Sequence, residues 1–268
     1  MTIMRQCFAF ALVLSACERI VARRTGNSSA LRRGNWLRDG HRKKYGGAYA
    51  IRDIRWGASA ELIRLANERS STKKDVYQFG VYTGGSMQGI VRNVNDFGHL
   101  YGFDSFIGLP EEAAGVKLEG RHWNTGAFSS ADALGAWSTD DLFSRLRRKI
   151  GRGPDSLTFI QGFFNDTLNE SLLRLHPFQP ALLVDIDGDL YVSAVQSMGW
   201  MLRSGLLVPG SLVRYDDWKE DEAWGEARAH KELTAEYHVE WRTIYHAMNS
   251  YLELELVRCG ACPSGPLF

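Results

Sequence analysis

Asp75-Val-Tyr-Gln-Phe-Gly80-Val-Tyr-Thr-Gly84-Gly85-Ser86 decides the fold. Its first half, rich in β-branched and aromatic residues, reads as a strand over Asp75–Gly80. Its second half is a Gly-rich turn that opens a helix through Met87–Val94. Glycines in such a turn adopt dihedrals that a Cβ forbids and let a ligand come close, while the helix behind them offers free N–H groups. Strand and helix signals then alternate. Strands are expected at His99–Asp104, Leu157–Ile160, Ala181–Asp187 and Ser211–Tyr215, and helices at Thr139–Ile150, Leu168–Leu175, Val192–Leu202 and Ala223–Tyr237. Residues 105–135 form a long connection. Alternating βα units imply an α/β fold, a mostly parallel sheet covered on both faces. Two closing strands without a helix between them, near Val239–Tyr245 and Tyr251–Val257, imply an antiparallel hairpin at one edge. Upstream, apolar residues at helical spacing from Ala48 to Arg69 predict one helix, or two parted near Gly57.

Two acidic clusters end two of the strands. Pro180-Ala-Leu-Leu-Val-Asp-Ile runs into Asp187-Gly188-Asp189, and Gly210-Ser-Leu-Val-Arg-Tyr runs into Asp216-Asp217. In an open α/β sheet the carboxyl ends of neighbouring strands border the ligand crevice. Carboxylates crowded there repel unless a proton or a hard cation relieves them, so the pattern points to a divalent cation site. Helix capping or loop solvation is the alternative for any single aspartate.

The turn has the spacing Gly80-x3-Gly84, which is not the GxGxxG dinucleotide fingerprint and argues against NAD. Asp104, ending the second strand, is placed to accept hydrogen bonds from ribose hydroxyls.

Composition bounds the rest. The chain of 268 residues has a net charge of +1, unevenly spread. Residues 18–44 hold nine basic side chains against Glu18 and Asp39, whereas residues from 45 onward hold 22 basic and 29 acidic ones. A mildly acidic globule thus carries a basic arm, read as a solvated segment and not as a nucleic-acid track. No Asn/Asp-Pro-Pro-Tyr/Phe motif of nucleic-acid methylation is present. Residues 1–47 are read as an extension (an apolar segment, then a basic connector), 48–262 as the main domain and 263–268 as a tail. Phe8–Ala16 is too short to span a bilayer but suits a signal h-region, and Leu14-Ser-Ala-Cys17 resembles a lipoprotein box. A cytoplasmic protein is expected, with export or membrane anchoring as the alternative. The four cysteines make no disulfide framework, and Cys259-Gly-Ala-Cys262, a lone CxxC, is weak as a zinc or redox site.

Taken in order, these motifs resemble a class I S-adenosylmethionine-dependent methyltransferase. More narrowly, Tyr101-Gly-Phe-Asp-Ser-Phe-Ile-Gly-Leu-Pro-Glu111, Gly162-Phe-Phe-Asn-Asp-Thr-Leu168, Asp187-Gly-Asp-Leu-Tyr191 and Asp216-Asp217-Trp218 resemble the macrocin O-methyltransferase family, over about Val76 to Val257. The resemblance implies a Rossmann-like, seven-stranded doubly wound sheet with a reversed last strand, and a hydroxylated small-molecule acceptor such as a sugar. It implies S-adenosylmethionine contacts at Gln78, Gly80, Tyr82, Gly84, Ser86, Asp104, Ser105, Gln161, Gly162 and Asp187. It also implies Mg²⁺ on Asp187, Asp216 and Asp217, with Asp187 catalytic. Asp189, two residues on, competes with Asp187 for the ligand role, and the strand-end position favours Asp187. One departure stands out: Gln78 replaces an acid usual in the family. A cofactor-binding protein without catalysis is therefore the alternative function. His122 and Trp123 are candidates for the pocket wall, Tyr191 for packing and Asp166 for a helix cap. A homo-oligomer is compatible with all of this.

Overall fold

The computed structural model describes residues 56–114, 116, 123–219 and 225–266. The expected extension, the helix signal before Trp56 and His122 lie outside the described residues. Seven strands form one sheet: β1 (Asp75–Phe79), β2 (Leu100–Asp104), β3 (Leu157–Gln161), β4 (Ala181–Ile186), β5 (Leu212–Tyr215), β6 (Val239–Ala247) and β7 (Tyr251–Cys259). Their order is β3-β2-β1-β4-β5-β7-β6. The first five run parallel, and β7 lies antiparallel to both β5 and β6. The order reverses between β1 and β4, so this pair of strand ends is the switch point at which α/β sheets open a crevice.

Eight helices are described: α1 (Ala60–Glu68), α2 (Gly85–Asn93), α3 (Ser130–Leu134), α4 (Thr139–Ile150), α5 (Phe164–Thr167), α6 (Glu170–Leu175), α7 (Tyr191–Arg203) and α8 (Gly225–Tyr237). The sheet and most helices match the sequence expectation. The helix expected over Leu168–Leu175 begins only at Glu170, because the backbone is out of helical geometry at Leu168 and Asn169 caps α6, and the short α5 precedes it as a separate turn. Asn169 accepts from the Leu172 N–H at 3.1 Å, the capping role expected of Asp166, which lies inside α5. The connection 105–135 also contains α3, capped by Ser129.

Alternation along β1 divides the core. Tyr77 and Phe79 face one side, where Phe79 stacks on Phe103 at 4.6 Å and Phe178 and Trp200 pack edge-on and tilted around them. This aromatic layer buries against α7 and α8. Val76 and Gln78 face the other side. There a row of polar side chains crosses the sheet in register: Gln78 beside Asp185, Asp185 beside Arg214, and Arg214 beside Glu253. All four are buried.

Cys259 and Cys262 are bonded to each other at the end of β7, which displaces the weak zinc reading. The tail that follows packs closely enough that a Cβ on Gly205 would meet the Gly265 carbonyl oxygen at 2.1 Å. No helix among the described residues is long and apolar enough to cross a membrane.

Candidate functional site

The carboxyl ends of β1, β2, β4 and β5 converge on one crevice. Gly80 N–H donates to Phe103 O, Asp187 N–H to Phe79 O and Asp216 N–H to Ile186 O, at 2.8–2.9 Å. Each strand end thereby hands the next one its register. Gly80 has φ +89°, and a Cβ there would meet the Asp187 carbonyl oxygen at 1.8 Å, so the first turn and the first acidic cluster are in direct backbone contact. Tyr82 adopts φ +44°, and Gly84 caps α2 at φ +76° without a side-chain hydrogen bond. The N–H groups of Gly85 and Ser86 therefore open the helix with no capping side chain, a setting suited to an anionic group.

Asp104 departs from its simplest expectation. Its carboxylate accepts from the backbone N–H groups of Val81 (2.7 Å), Tyr82 (3.1 Å) and Phe106 (2.6 Å). It is the knot that holds the Gly-rich turn to the loop after β2, with limited capacity left for a ribose. Burial pushes its pKa up, against the three N–H groups. Ser105 is likewise committed, donating to Gly108 O at 2.7 Å and accepting from Ile107 N–H at 3.2 Å. Gln161 lies beside Asp104 across the β2–β3 pair, and Gly162 N–H donates to Asp104 O at 2.9 Å. Gln78 donates to Gly80 O at 2.9 Å, while its buried Oε1 has no partner.

The second half of the site is acidic. Asp187, Asp216 and Asp217 each offer a carboxylate oxygen, and these oxygens lie within 4.8 Å of one another. That span suits oxygens gathered about one hard cation, whose bonds to each are about 2.0–2.6 Å. Burial first, then repulsion from Asp216, Asp217 and Asp189, holds Asp187 well above the usual carboxylate range. Asp217 is raised by burial and by Asp189, to which it hydrogen-bonds. Two carboxylates in such contact share a proton unless a cation replaces it. Asp189 is also held by Trp123, whose indole N–H donates to Oδ1 at 2.7 Å, so Asp189 faces the connection after β2.

Three contributors escaped the sequence reading. Glu226 at the start of α8 is fully buried and accepts from Asp217 N–H at 3.0 Å; burial and the acidic pair push its pKa well up. Arg214 reaches from β5 to Asp185 and Asp216. Glu112 accepts from the Tyr191 (2.8 Å) and Val192 (3.0 Å) N–H groups, capping α7, which has no side-chain cap of its own. An acid in the loop after Pro110 carries no sequence mark of so distant a partner. Glu112→Ala is expected to lower unfolding free energy by about 1–2 kcal/mol, the usual worth of a helix cap, measurable by urea unfolding. Tyr191 is a packing residue as expected: its hydroxyl donates to Glu232 and its ring lies under Arg228 at 4.5 Å.

The sheet order, the reversed last strand, the glycine turn on β1 and the acids on β4 and β5 together define a Rossmann-like methyltransferase. One solved structure agrees on the fold: CalS11, a calicheamicin methyltransferase, aligns with a TM-score of 0.56 at 20% identity over 72% of this chain and 75% of that one. The O-methyltransferase NovP aligns at 0.49 and 19% identity over 74% of this chain and 78% of that one. No curated protein sequence matches this chain. The macrocin O-methyltransferase (TylF) family matches residues 65–247, and the chain belongs to that family. It is an S-adenosylmethionine-dependent O-methyltransferase.

Proposed function

We propose that this enzyme methylates a hydroxyl of a small natural product, a sugar hydroxyl being the best fit to the family, with Mg²⁺ held by Asp187, Asp216 and Asp217. The observation that carries the metal reading is the trio of carboxylate oxygens within 4.8 Å at two adjacent strand ends. S-adenosylmethionine supplies a sulfonium methyl group for in-line displacement. A bound divalent cation lowers the pKa of a hydroxyl oxygen and fixes its position.

The chain's own residues do the remainder. Gly80 and Gly84 let the backbone approach the methyl donor, Asp104 locks the turn between them, and the uncapped N–H groups at the start of α2 receive the donor's carboxylate. Gln161 and Gly162 flank the adenine. Asp187, at the junction of turn and acidic pair, takes the hydroxyl proton as the methyl group leaves sulfur for oxygen. Trp123, bonded to Asp189, walls the acceptor side.

The direct test is transfer of a labelled methyl group from S-adenosylmethionine to a panel of glycosylated acceptors, with and without EDTA. Transfer that survives EDTA would remove the metal from this reading. Cofactor binding with no transfer to any of these acceptors would place the acceptor outside the glycosylated class.

A pH signature follows from the same carboxyls. Their folded pKa values lie above the unfolded ones, near 4, so their contribution to stability is fully present below that pH and is lost as pH climbs through the raised values. His230 acts oppositely: burial holds it down to about 4, so its contribution is present above its ordinary pKa of 6.5 and lost as pH falls. Above about pH 6.5 only the acids act. The metal-free protein is therefore expected to lose thermal stability as pH climbs above about 6.5 through the raised range of these acids, and Mg²⁺ to restore it most at the alkaline end. Thermal scans in EDTA and in Mg²⁺ would check this; equal curves would count against a cation at these acids.

A further inference from the structure

One layer beneath the acidic trio, the buried polar row holds a charge that methyl transfer does not use. Asp185 and Arg214 are register partners on β4 and β5, each two residues before an acid of the trio and therefore on the same strand face as Asp187 and Asp216. Arg214 is 2% exposed and Asp185 fully buried. One guanidinium nitrogen donates to Asp185 Oδ1 at 3.0 Å, and the other makes a close ion pair with Asp216 Oδ1. Asp185 Oδ2 accepts from the Trp56 indole N–H at 3.1 Å, so the pair is braced from the far side as well. On β7, Glu253 lies beside Arg214 but gives its carboxylate to the backbone and side chain of Ser59. The fork of Arg214 is thus divided between one structural acid and one acid of the site.

A buried ion pair contributes little net stability, because desolvating two charges offsets their attraction, and apolar replacements of both partners are often neutral. Stability alone does not account for it. Its geometry does: an aspartate at the rim of a crevice has two free torsions, and Arg214 removes them by holding one oxygen from below. The carboxylate so held still offers an oxygen within 4.8 Å of oxygens of Asp187 and Asp217. The rigid planar fork suits this task, which a lysine point charge does not reproduce.

We propose that Arg214, braced by Asp185, is a positioning residue that presets Asp216 for the divalent cation. This rests on the reading of Asp187, Asp216 and Asp217 as a cation site. The consequence is a site whose β5 ligand is ordered before the cation arrives, with an internal positive charge that tempers the repulsion among the acids meanwhile.

The test is Mn²⁺ binding followed by electron paramagnetic resonance of the free ion, on the full chain at fixed pH. Arg214→Leu alone strands Asp185 without its counter-charge, so the informative variant is the double Asp185→Leu/Arg214→Leu, accompanied by Arg214→Lys. The double variant is expected to fold with S-adenosylmethionine affinity close to the parent's, yet to bind Mn²⁺ at least 10-fold more weakly. Arg214→Lys, retaining charge without the fork, is expected to show a smaller, several-fold loss. A folded double variant that binds Mn²⁺ as tightly as the parent, or more tightly, overturns the positioning role and leaves the cation site standing. A parent that binds no Mn²⁺ overturns the cation reading and this proposal with it.

Discussion

Asp187→Ala is expected to reduce kcat/KM for methyl transfer by about 10⁴-fold or more while S-adenosylmethionine affinity changes only a few-fold. The size follows from two losses at one atom. General-base assistance is worth roughly 10²–10⁴ in rate, and the same carboxylate is the member of the acidic trio on β4. In the proposed reading the donor is held by the glycine turn, which Asp104 locks through backbone contacts that do not involve the Asp187 side chain. Asp187→Asn keeps the volume and separates charge from shape; it should behave like the alanine variant. Asp189→Asn is expected to be far milder, since Asp189 is turned to Trp123. Calorimetry for binding and a labelled-methyl assay for turnover decide the matter. Equal collapse of both in Asp187→Ala would make Asp187 a structural residue, and a greater loss in Asp189→Asn would transfer its role to its neighbour.

Gly80→Ala should be the most damaging small change in the fold. The left-handed region costs a non-glycine residue about 1–2 kcal/mol. The added methyl would also lie 1.8 Å from the Asp187 carbonyl oxygen and 2.8 Å from its carbon, which are backbone atoms that no rotamer change can move. Relief requires parting β1 from β4 at the switch point. A loss of about 3 kcal/mol or more is expected, with donor binding lost even in molecules that stay folded. Urea unfolding read beside calorimetry would show it; parent-like values in both would mean that the turn and the acid segment are not in contact. By contrast, Gly135 and Gly151, also at positive φ, have open space about their Cβ positions and would carry only the strain.

The five parallel strands were legible because each is a short apolar run stopped by glycine or aspartate, and the two longer closing strands because no helix signal separates them. The crevice was legible for the same reason: strand ends are where stops occur, and acids at two neighbouring stops had to meet. What the sequence concealed were long-range partners. Glu112 lies in a loop and caps a helix some eighty positions away, which no local pattern marks. Glu226 belongs to a polar stretch that reads as a solvated helix start, yet it is fully buried. Arg214 interrupts an apolar strand, and such an interruption is itself a signal, since an arginine enters a core only with partners. Asp104 was expected to serve a ribose, and its hold on three backbone N–H groups escaped notice because backbone donors are invisible in a list of side chains. The substitution at Gln78 also takes on meaning in register: its neighbour in the sheet is Asp185, and a carboxylate there would add a third acid to a row holding one guanidinium.

Trp56 gives the domain a physical beginning different from its similarity-based one. Family likeness starts at residue 65, within α1. Yet the Trp56 side chain fills the space that a Cβ on Gly89 of α2 would occupy, at 2.1 Å, and its indole reaches Asp185, while Ser59 holds Glu253. Those residues plug the underside of the crevice. A recombinant boundary drawn at the edge of the recognised homology would leave two buried carboxylates open to water, so a minimal catalytic fragment has to start upstream of Trp56.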